Sequence, residues 1–209
     1  MSQAVQREIV PDWRPRELIT RARRESRELF LHNNRAKLFL VIVLDGTTSE
    51  LALGLSEAHP GEGDGLPFRT AGLTAQFAPV DASGRPSRPS LIPHEDISVG
   101  AKLAALAGVP CWLLPLRKRG EAAFLDSISV GRARNHDVVL RHASVSKFHA
   151  NLEIDDGRLY VKDAGSRNHT FLNHERVVSR SEVRPGDNLR FGWVEALLAD
   201  DESLWKALQ

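Results

Sequence analysis

Two stretches in the second half of the chain contain the pattern that decides the fold. Residues 144–150 read Ser-Val-Ser-Lys-Phe-His-Ala, and residues 163–173 read Asp-Ala-Gly-Ser-Arg-Asn-His-Thr-Phe-Leu-Asn. Around them, apolar and polar residues alternate in short runs at residues 148–154, 158–162 and 188–191. Short alternating runs separated by turn residues are typical of β-strands in antiparallel sheets. The second half of the chain is therefore predicted to be an all-β sandwich.

Three basic segments border these predicted strands. Arg132 follows Gly131 at a strand end, Ser146 and Lys147 precede the next strand, and Arg167 lies in a third turn before Asn168. Loops at one end of a sandwich converge, so we expect these segments to form one patch. A guanidinium, an ammonium and a hydroxyl suit the oxygens of a phosphate group. An asparagine amide beside them suits a peptide backbone.

The order and spacing of these segments resemble the forkhead-associated (FHA) domain. Its pattern has Gly-Arg, then Ser-x-x-His, then Asp-x-Gly-Ser-x-Asn-Gly-Thr-x-Leu-Asn-Gly, then Gly-Asp and a closing Gly. In this chain the corresponding residues begin at Gly131 and end at Gly192. The resemblance covers about residues 109–201. It implies a non-catalytic sandwich of about eleven strands whose loops bind phosphothreonine peptides.

The resemblance also implies a role for individual residues. Five residues are expected to bind the phosphopeptide: Arg132, Ser146, Lys147, Arg167 and Asn168. Arg132 and Ser146 would contact the phosphate, with help from Lys147 and Arg167, and Asn168 would hold the peptide main chain. Four further residues are expected to support the structure of the site: Gly131, His149, Ser166 and Asn173. Asp163 is interpreted as scaffold as well.

Two residues depart from the family pattern. His169 and His174 stand where the family usually has glycine. Glycine accepts a positive φ in such turns, whereas histidine does so at a steric cost. We therefore expect the Asn168 loop to be shifted or strained.

The first half of the chain has a different pattern and no recognised motif. A helix is predicted from Trp13 to about His32, and a β-hairpin from residues 38–44 and 50–55 around Asp45-Gly46. These elements predict a small α+β region and a multi-domain chain. A Pro-rich connector and a helix at about 99–107, capped by Ser98, follow. The predicted segments are residues 1–80, a linker at 81–108, the FHA-like domain at 109–201 and a helical tail at 202–209.

Composition restricts the partners and the location. The chain has 28 Lys and Arg against 27 Asp and Glu, a net charge of +1, which argues against nucleic-acid and membrane partners. The arginines between Trp13 and Lys37 are interpreted as a solvated helix face. The longest apolar run, Leu38–Leu44, is far shorter than a membrane span. No secretory signal is visible, and the single cysteine, Cys111, favours a reducing, cytoplasmic location.

Catalytic and metal sites lack their usual patterns. The histidines at positions 136–174 show no spacing typical of metal ligands, so we expect no metal and no cofactor. The sequence contains neither a Gly-x-Ser-x-Gly elbow nor a phosphate-binding Gly-x-x-x-x-Gly-Lys loop. We therefore expect no catalytic residues and no enzymatic activity.

The predicted function is that of a phosphothreonine-dependent adaptor in Ser/Thr kinase signalling. Its partner would be a protein containing phosphothreonine, either a Ser/Thr kinase or a kinase substrate. The alternative is a structural or assembly protein that uses the sandwich as a docking surface without phosphate. The histidines in place of the two glycines favour this alternative.

Overall fold

The computed structural model describes residues 15–33, 36–43, 90, 92–93, 96–106, 109, 111–118 and 127–209. The helices are α1 (Pro15–Arg24), α2 (Arg27–Asn33), α3 (Val99–Ala105) and α4 (Asp201–Ala207). The first strands are β1 (Leu38–Val43), β2 (Cys111–Pro115), β3 (Ser127–Gly131), β4 (Val138–Val139), β5 (Ala150–Asp155) and β6 (Arg158–Asp163). The remaining strands are β7 (Thr170–Leu172), β8 (Glu175–Arg176), β9 (Ser181–Val183), β10 (Asn188–Phe191) and β11 (Val194–Asp200).

The described strands form two sheets. A six-stranded sheet has the order β2-β1-β11-β10-β7-β8, and a five-stranded sheet has the order β4-β3-β5-β6-β9. The pairings are antiparallel except for the parallel pair β3 and β4. Apolar side chains from both sheets form one core that includes Leu40, Leu152 and Phe191, all fully buried. The β-rich architecture predicted for the second half is therefore present.

The predicted alternation along β5 is correct only in its middle. Ala150 and Leu152 are fully buried, as the pattern requires, but Phe148 and Ile154 are exposed. The strand begins at Ala150, so Phe148 lies in the preceding loop. Ile154 lies next to the turn that joins β5 to β6, where the core ends.

The apolar run at residues 38–43 lies inside the sandwich and corrects the predicted hairpin. β1 pairs with β11 on one side and with β2 on the other, and Leu40 lies opposite both Leu198 and Leu114. A strand between two partners, with both faces covered, is apolar throughout rather than alternating. The proposed second arm of the hairpin, residues 50–55, lies outside the described residues. The strand β1, which the sequence pattern predicts as part of an N-terminal α+β region, thus belongs to the six-stranded sheet.

A layer of helices covers the outer face of β1, β2 and β11. We call α1, α2, α3 and α4 together the helical layer. Phe39, Val41 and Leu197 point outward from the sheet and are buried against Phe30 of α2 and Leu204 of α4. Two ion pairs reinforce the contact with α4: Lys37 to Asp201 at 2.9 Å and Arg27 to Glu202 at 2.8 Å. One face of the six-stranded sheet therefore packs in the sandwich core, and the other face packs against the helical layer.

The helix predicted at residues 13–32 is two helices. The break falls at Glu25–Ser26, and the Ser26 hydroxyl accepts a hydrogen bond from the backbone N–H of Leu29. The break changes the helical phase, so Phe30 is buried while Leu29 is exposed.

Two further helices agree more closely with the sequence analysis. Helix α3 begins after Ser98, whose Oγ accepts from the backbone N–H of Ala101 at 3.2 Å. Helix α4 buries Leu204, as expected for the C-terminal tail. The domain boundaries near residues 80 and 108 stay predictions, because most of the residues between β1 and α3 lie outside the described part of the chain.

Within the described residues, no helix is long and apolar enough to cross a membrane. The same residues contain no group of three or more His, Cys, Asp or Glu side chains arranged to hold a metal ion.

Candidate functional site

Backbone hydrogen bonds bring the three basic segments together at one end of the sandwich. The N–H of Arg132 donates to the carbonyl of Ser146 at 2.9 Å, and the N–H of Ala133 donates to the carbonyl of Lys147 at 3.1 Å. From the third segment, the N–H of Arg167 donates to Ser146 Oγ at 3.0 Å. The loops after β3, β4 and β6 thus meet at Ser146.

Gly131 permits the close approach of the first two loops. A Cβ at this position would lie 2.2 Å from the Lys147 carbonyl oxygen and 2.6 Å from Cδ2 of His136. The first of these contacts is with the backbone, which cannot move away as a side chain can. Any larger residue at position 131 would therefore separate Arg132 from Ser146.

His149 connects the second and third loops from inside the protein. Its ring is fully buried, and Nδ1 accepts from the N–H of Ser146 at 3.0 Å. A backbone N–H can only donate, so the ring proton lies on Nε2, which donates to the carbonyl of His169 at 3.2 Å. Desolvation by burial lowers the pKa of His149. The imidazole is thus neutral, and both of its nitrogens form hydrogen bonds that connect the two loops.

Asp163 organises the third loop. One carboxylate oxygen accepts from the N–H groups of Gly165 and Ser166, each at 2.8 Å. The other accepts from the hydroxyls of Ser166 and Thr170, each at 2.7 Å. Burial raises the pKa of Asp163, but these hydrogen bonds outweigh it and leave the pKa below its usual value. The sequence pattern predicts a scaffold role for Asp163 and Ser166 but not for the buried Thr170.

The third loop adopts a left-handed turn at His169. Its φ is 58°, a conformation that glycine adopts more readily than histidine. The His169 carbonyl accepts from His149 and also from the N–H of Gly192 at 3.1 Å. The preceding Asn168 donates through Nδ2 to the Ser144 carbonyl at 2.8 Å. The expected strain is therefore present at His169 itself, and Asn168 is held beside the second loop.

Arg132, Lys147 and Arg167 are exposed basic residues of the three segments that meet at Ser146. No carboxylate of the described residues forms an ion pair with any of these side chains. Arg132 uses only Nε internally, donating to the carbonyl of Val145 at 3.1 Å. The Ser146 hydroxyl accepts the Arg167 N–H and keeps its own proton for donation. Such a group of donors can bind a multiply charged anion.

Asn173 does not join this group. It follows β7 at the end away from Asn168, where its amide donates to Asp187 at 2.8 Å and its Oδ1 accepts from the N–H of Asn188 at 2.9 Å. It ties the β7–β8 turn to the start of β10. These contacts lie at the opposite end of the sheet from Ser146, so Asn173 does not contact the loops of the site directly. His174 beside it also has a positive φ, of 71°.

The β10–β11 turn is part of the site, which the sequence analysis did not assign. The N–H of Trp193 donates to Ser144 Oγ at 2.9 Å. A Cβ on Gly192 would lie 2.6 Å from the Ser144 carbonyl oxygen, so glycine is required there. The closing glycine of the motif was the available signal for this contact.

Residues 128–192 match the family model of the FHA domain, and this part of the chain is an FHA domain. The transcriptional regulatory protein EmbR of Mycobacterium tuberculosis is 39% identical over 62 residues, which are 29% of this chain and 16% of EmbR. The oxoglutarate dehydrogenase inhibitor of Corynebacterium efficiens is 28% identical over 114 residues, which are 54% of this chain and 75% of the inhibitor.

A solved structure of Mycobacterium tuberculosis EmbR in complex with a low-affinity phosphopeptide has a TM-score of 0.35 and 28% identity to this chain. The match covers 36% of this chain and 20% of that one. This chain thus corresponds to a small part of EmbR, and to most of the length of the Corynebacterium inhibitor.

Proposed function

We propose that this protein is a non-catalytic adaptor that binds phosphothreonine segments in Ser/Thr kinase signalling. The observation that carries the proposal is the group of basic side chains around the Ser146 hydroxyl within an FHA domain. A phosphate ester carries a charge of about −1.5 to −2 at neutral pH and offers three strong acceptor oxygens. Three cations without a described carboxylate partner complement that charge.

Each residue has a distinct part in the proposed complex. Arg132, held through Nε by the Val145 carbonyl, directs its terminal guanidinium nitrogens to the phosphate. Ser146 donates its hydroxyl proton, while Lys147 and Arg167 add charge. Asn168 holds the peptide main chain through its amide, from the position fixed by Ser144.

The FHA family and the relatives of this chain support one class of partner. The resemblance to the FHA family implies phosphothreonine recognition, so the partner would be a Ser/Thr kinase or one of its substrates. One relative is a transcriptional regulatory protein and another an enzyme inhibitor, which supports a regulatory role through protein binding. The single cysteine, Cys111, cannot form an internal disulfide, which suits a cytoplasmic location.

Calorimetry with paired peptides tests the proposal. Phosphothreonine peptides should bind the full chain, and their unphosphorylated counterparts should not. Arg132→Ala should weaken phosphopeptide binding about 10- to 100-fold, the cost of losing charge-assisted hydrogen bonds. Arg158→Ala, at the exposed turn between β5 and β6, is the matched control and should leave the affinity unchanged. Equal binding of the paired peptides would contradict the proposal.

A second candidate function is phosphate-independent docking, in which the sandwich serves assembly. The observation that favours it is the pair of histidines at positions 169 and 174, which replace the usual glycines and take positive φ. It predicts a partner complex that survives both phosphatase treatment and the Arg132→Ala change. A complex lost under either condition excludes this candidate.

A further inference from the structure

Two exposed aromatic side chains lie on the loops of the phosphate site. Among the described residues, the exposed large hydrophobic side chains are Leu29, Phe148, Ile154, Val178 and Trp193. Only Phe148 and Trp193 of this group are aromatic, with 43% and 49% of their surface exposed. Phe148 lies two residues after Ser146, and Trp193 is hydrogen-bonded to Ser144, two residues before it. The two rings therefore belong to the loop that carries Ser146 and to the turn bonded to that loop.

The Phe148 ring is held on the side of Arg132. It stacks on the imidazole of His136, with ring centroids 5.2 Å apart and planes at 14°. His136 in turn packs against Gly131, where a Cβ would lie 2.6 Å from its Cδ2. The Phe148 ring is thus held by His136, which packs against the residue before Arg132.

The Trp193 ring is held on the side of Asn168. Its backbone N–H donates to Ser144 Oγ, and the Ser144 carbonyl accepts from Asn168. The indole packs at a tilt against the buried imidazole of His142, with ring centroids 6.1 Å apart. Trp193, with its exposed indole, and Asn168, the residue proposed to hold the peptide backbone, are thus both hydrogen-bonded to Ser144.

We propose that the phosphate site extends onto both rings and selects phosphothreonine segments with an apolar side chain on each side of the phosphothreonine. This inference rests on the proposed function and specifies its partner. A peptide laid across Ser146 in extended form advances about 3.3 Å per residue, so we expect residues before and after the phosphothreonine to extend toward the two rings. Half-exposed aromatic rings on pre-ordered loops gain free energy when an apolar side chain covers them. Polar residues beside the phosphothreonine would not provide this gain in binding free energy.

A leucine scan tests the inference. The probes are phosphothreonine peptides with alanine at every other position, in which leucine replaces one alanine at a time on either side. One position before and one after the phosphothreonine should each gain about fivefold in affinity, as expected for partial burial of an apolar side chain. Phe148→Ala should abolish the gain on one side only, and Trp193→Ala the gain on the other side only. Phe148→Leu and Trp193→Phe should retain part of each gain.

The controls are variants of exposed apolar residues outside the site. Ile154→Ala, at 41% exposure, matches Phe148, and Leu29→Ala, at 49%, matches Trp193. Both should leave the leucine profile intact, and thermal melting should show that every variant is folded. A flat profile, or gains that persist in both aromatic variants, overturns the inference alone. An equal loss of affinity for all peptides in an aromatic variant also overturns it. Failure of the alanine-based phosphopeptide to bind better than its unphosphorylated form overturns the proposed function as well.

Discussion

At the residue scale, His169 bears a backbone cost that glycine would not. Its φ of 58° lies in the left-handed region, where an L-residue loses about 1–2 kcal/mol relative to the right-handed helix. His169→Gly should therefore raise the free energy of unfolding by up to about 1 kcal/mol, since the greater freedom of unfolded glycine offsets part of the gain. Urea unfolding measures the change. His169→Ala removes the imidazole without relieving the backbone and should give no increase; a destabilised glycine variant would contradict the expectation.

His149 should make stability depend on pH. Burial lowers the pKa of the folded imidazole, while the unfolded chain takes up a proton near its ordinary value of 6.5. The contribution of His149 is therefore complete above about pH 6.5 and is lost as the pH falls, by at most about 1.4 kcal/mol per pH unit. Urea midpoints from pH 7.5 to 5 measure this decline. His149→Asn keeps an acceptor for the Ser146 N–H but cannot titrate, so its decline should be shallower; an equal slope would exclude His149 as the cause.

The resemblance to the FHA family predicts which residues lie beside Ser146, because the family pattern specifies their order and spacing. Arg132, His149 and Asn168 each form a hydrogen bond with the backbone of residues 144–146. Their spacing along the sequence can therefore be compared with the family pattern. Trp193 could not be assigned in the same way. Its place in the site depends on a hydrogen bond to Ser144, which lies 49 positions earlier in the chain. Nothing in the local pattern specifies which loop a turn residue will meet.

At the element scale, the strand β1 shows where local pattern fails. Its continuous apolar run predicts a strand correctly, and the Asp45-Gly46 pair after it suggested a hairpin. The run instead pairs with β11 and β2, both far away in the sequence. An apolar run fits any buried position between two strands, so its composition cannot identify its neighbours. The partner is chosen by the tertiary fold, where β1 fills a place in the sheet.

The helices show a similar division between local and tertiary signals. Ser98 caps α3 through a hydrogen bond to the third residue beyond it, and that spacing is readable in the sequence. The break between α1 and α2 was not predicted, although Ser26 caps α2 in the same manner. Apolar residues on both sides of Ser26 obscured the change of helical phase. Burial of Phe30 against the sheet decides that phase.

At the scale of the whole molecule, the segment 109–209 should not fold stably alone. It contains the complete motif but lacks β1, so β2 and β11 would lose the strand between them. Leu40 and Ile42 would leave the sandwich core, and the outward face of Leu197 would lose Phe39. Circular dichroism and thermal melting should show no cooperative transition for this segment. A chain that lacks only residues 1–14 should melt cooperatively; cooperative melting of the short segment would disprove the requirement for β1.

The position of β1 also sets the order of events during synthesis. Leu38 pairs with Asp200, so its partner strand β11 is synthesised long after β1. Until β11 is available, this strand of six apolar residues has at least one unpaired edge, the kind of segment that associates with other chains. Pairing between distant segments also slows folding, because the connecting chain must lose its freedom first. The apolar strand of the nascent protein can thus associate with other chains for a long time. A chaperone that covers apolar strands would protect it during that time.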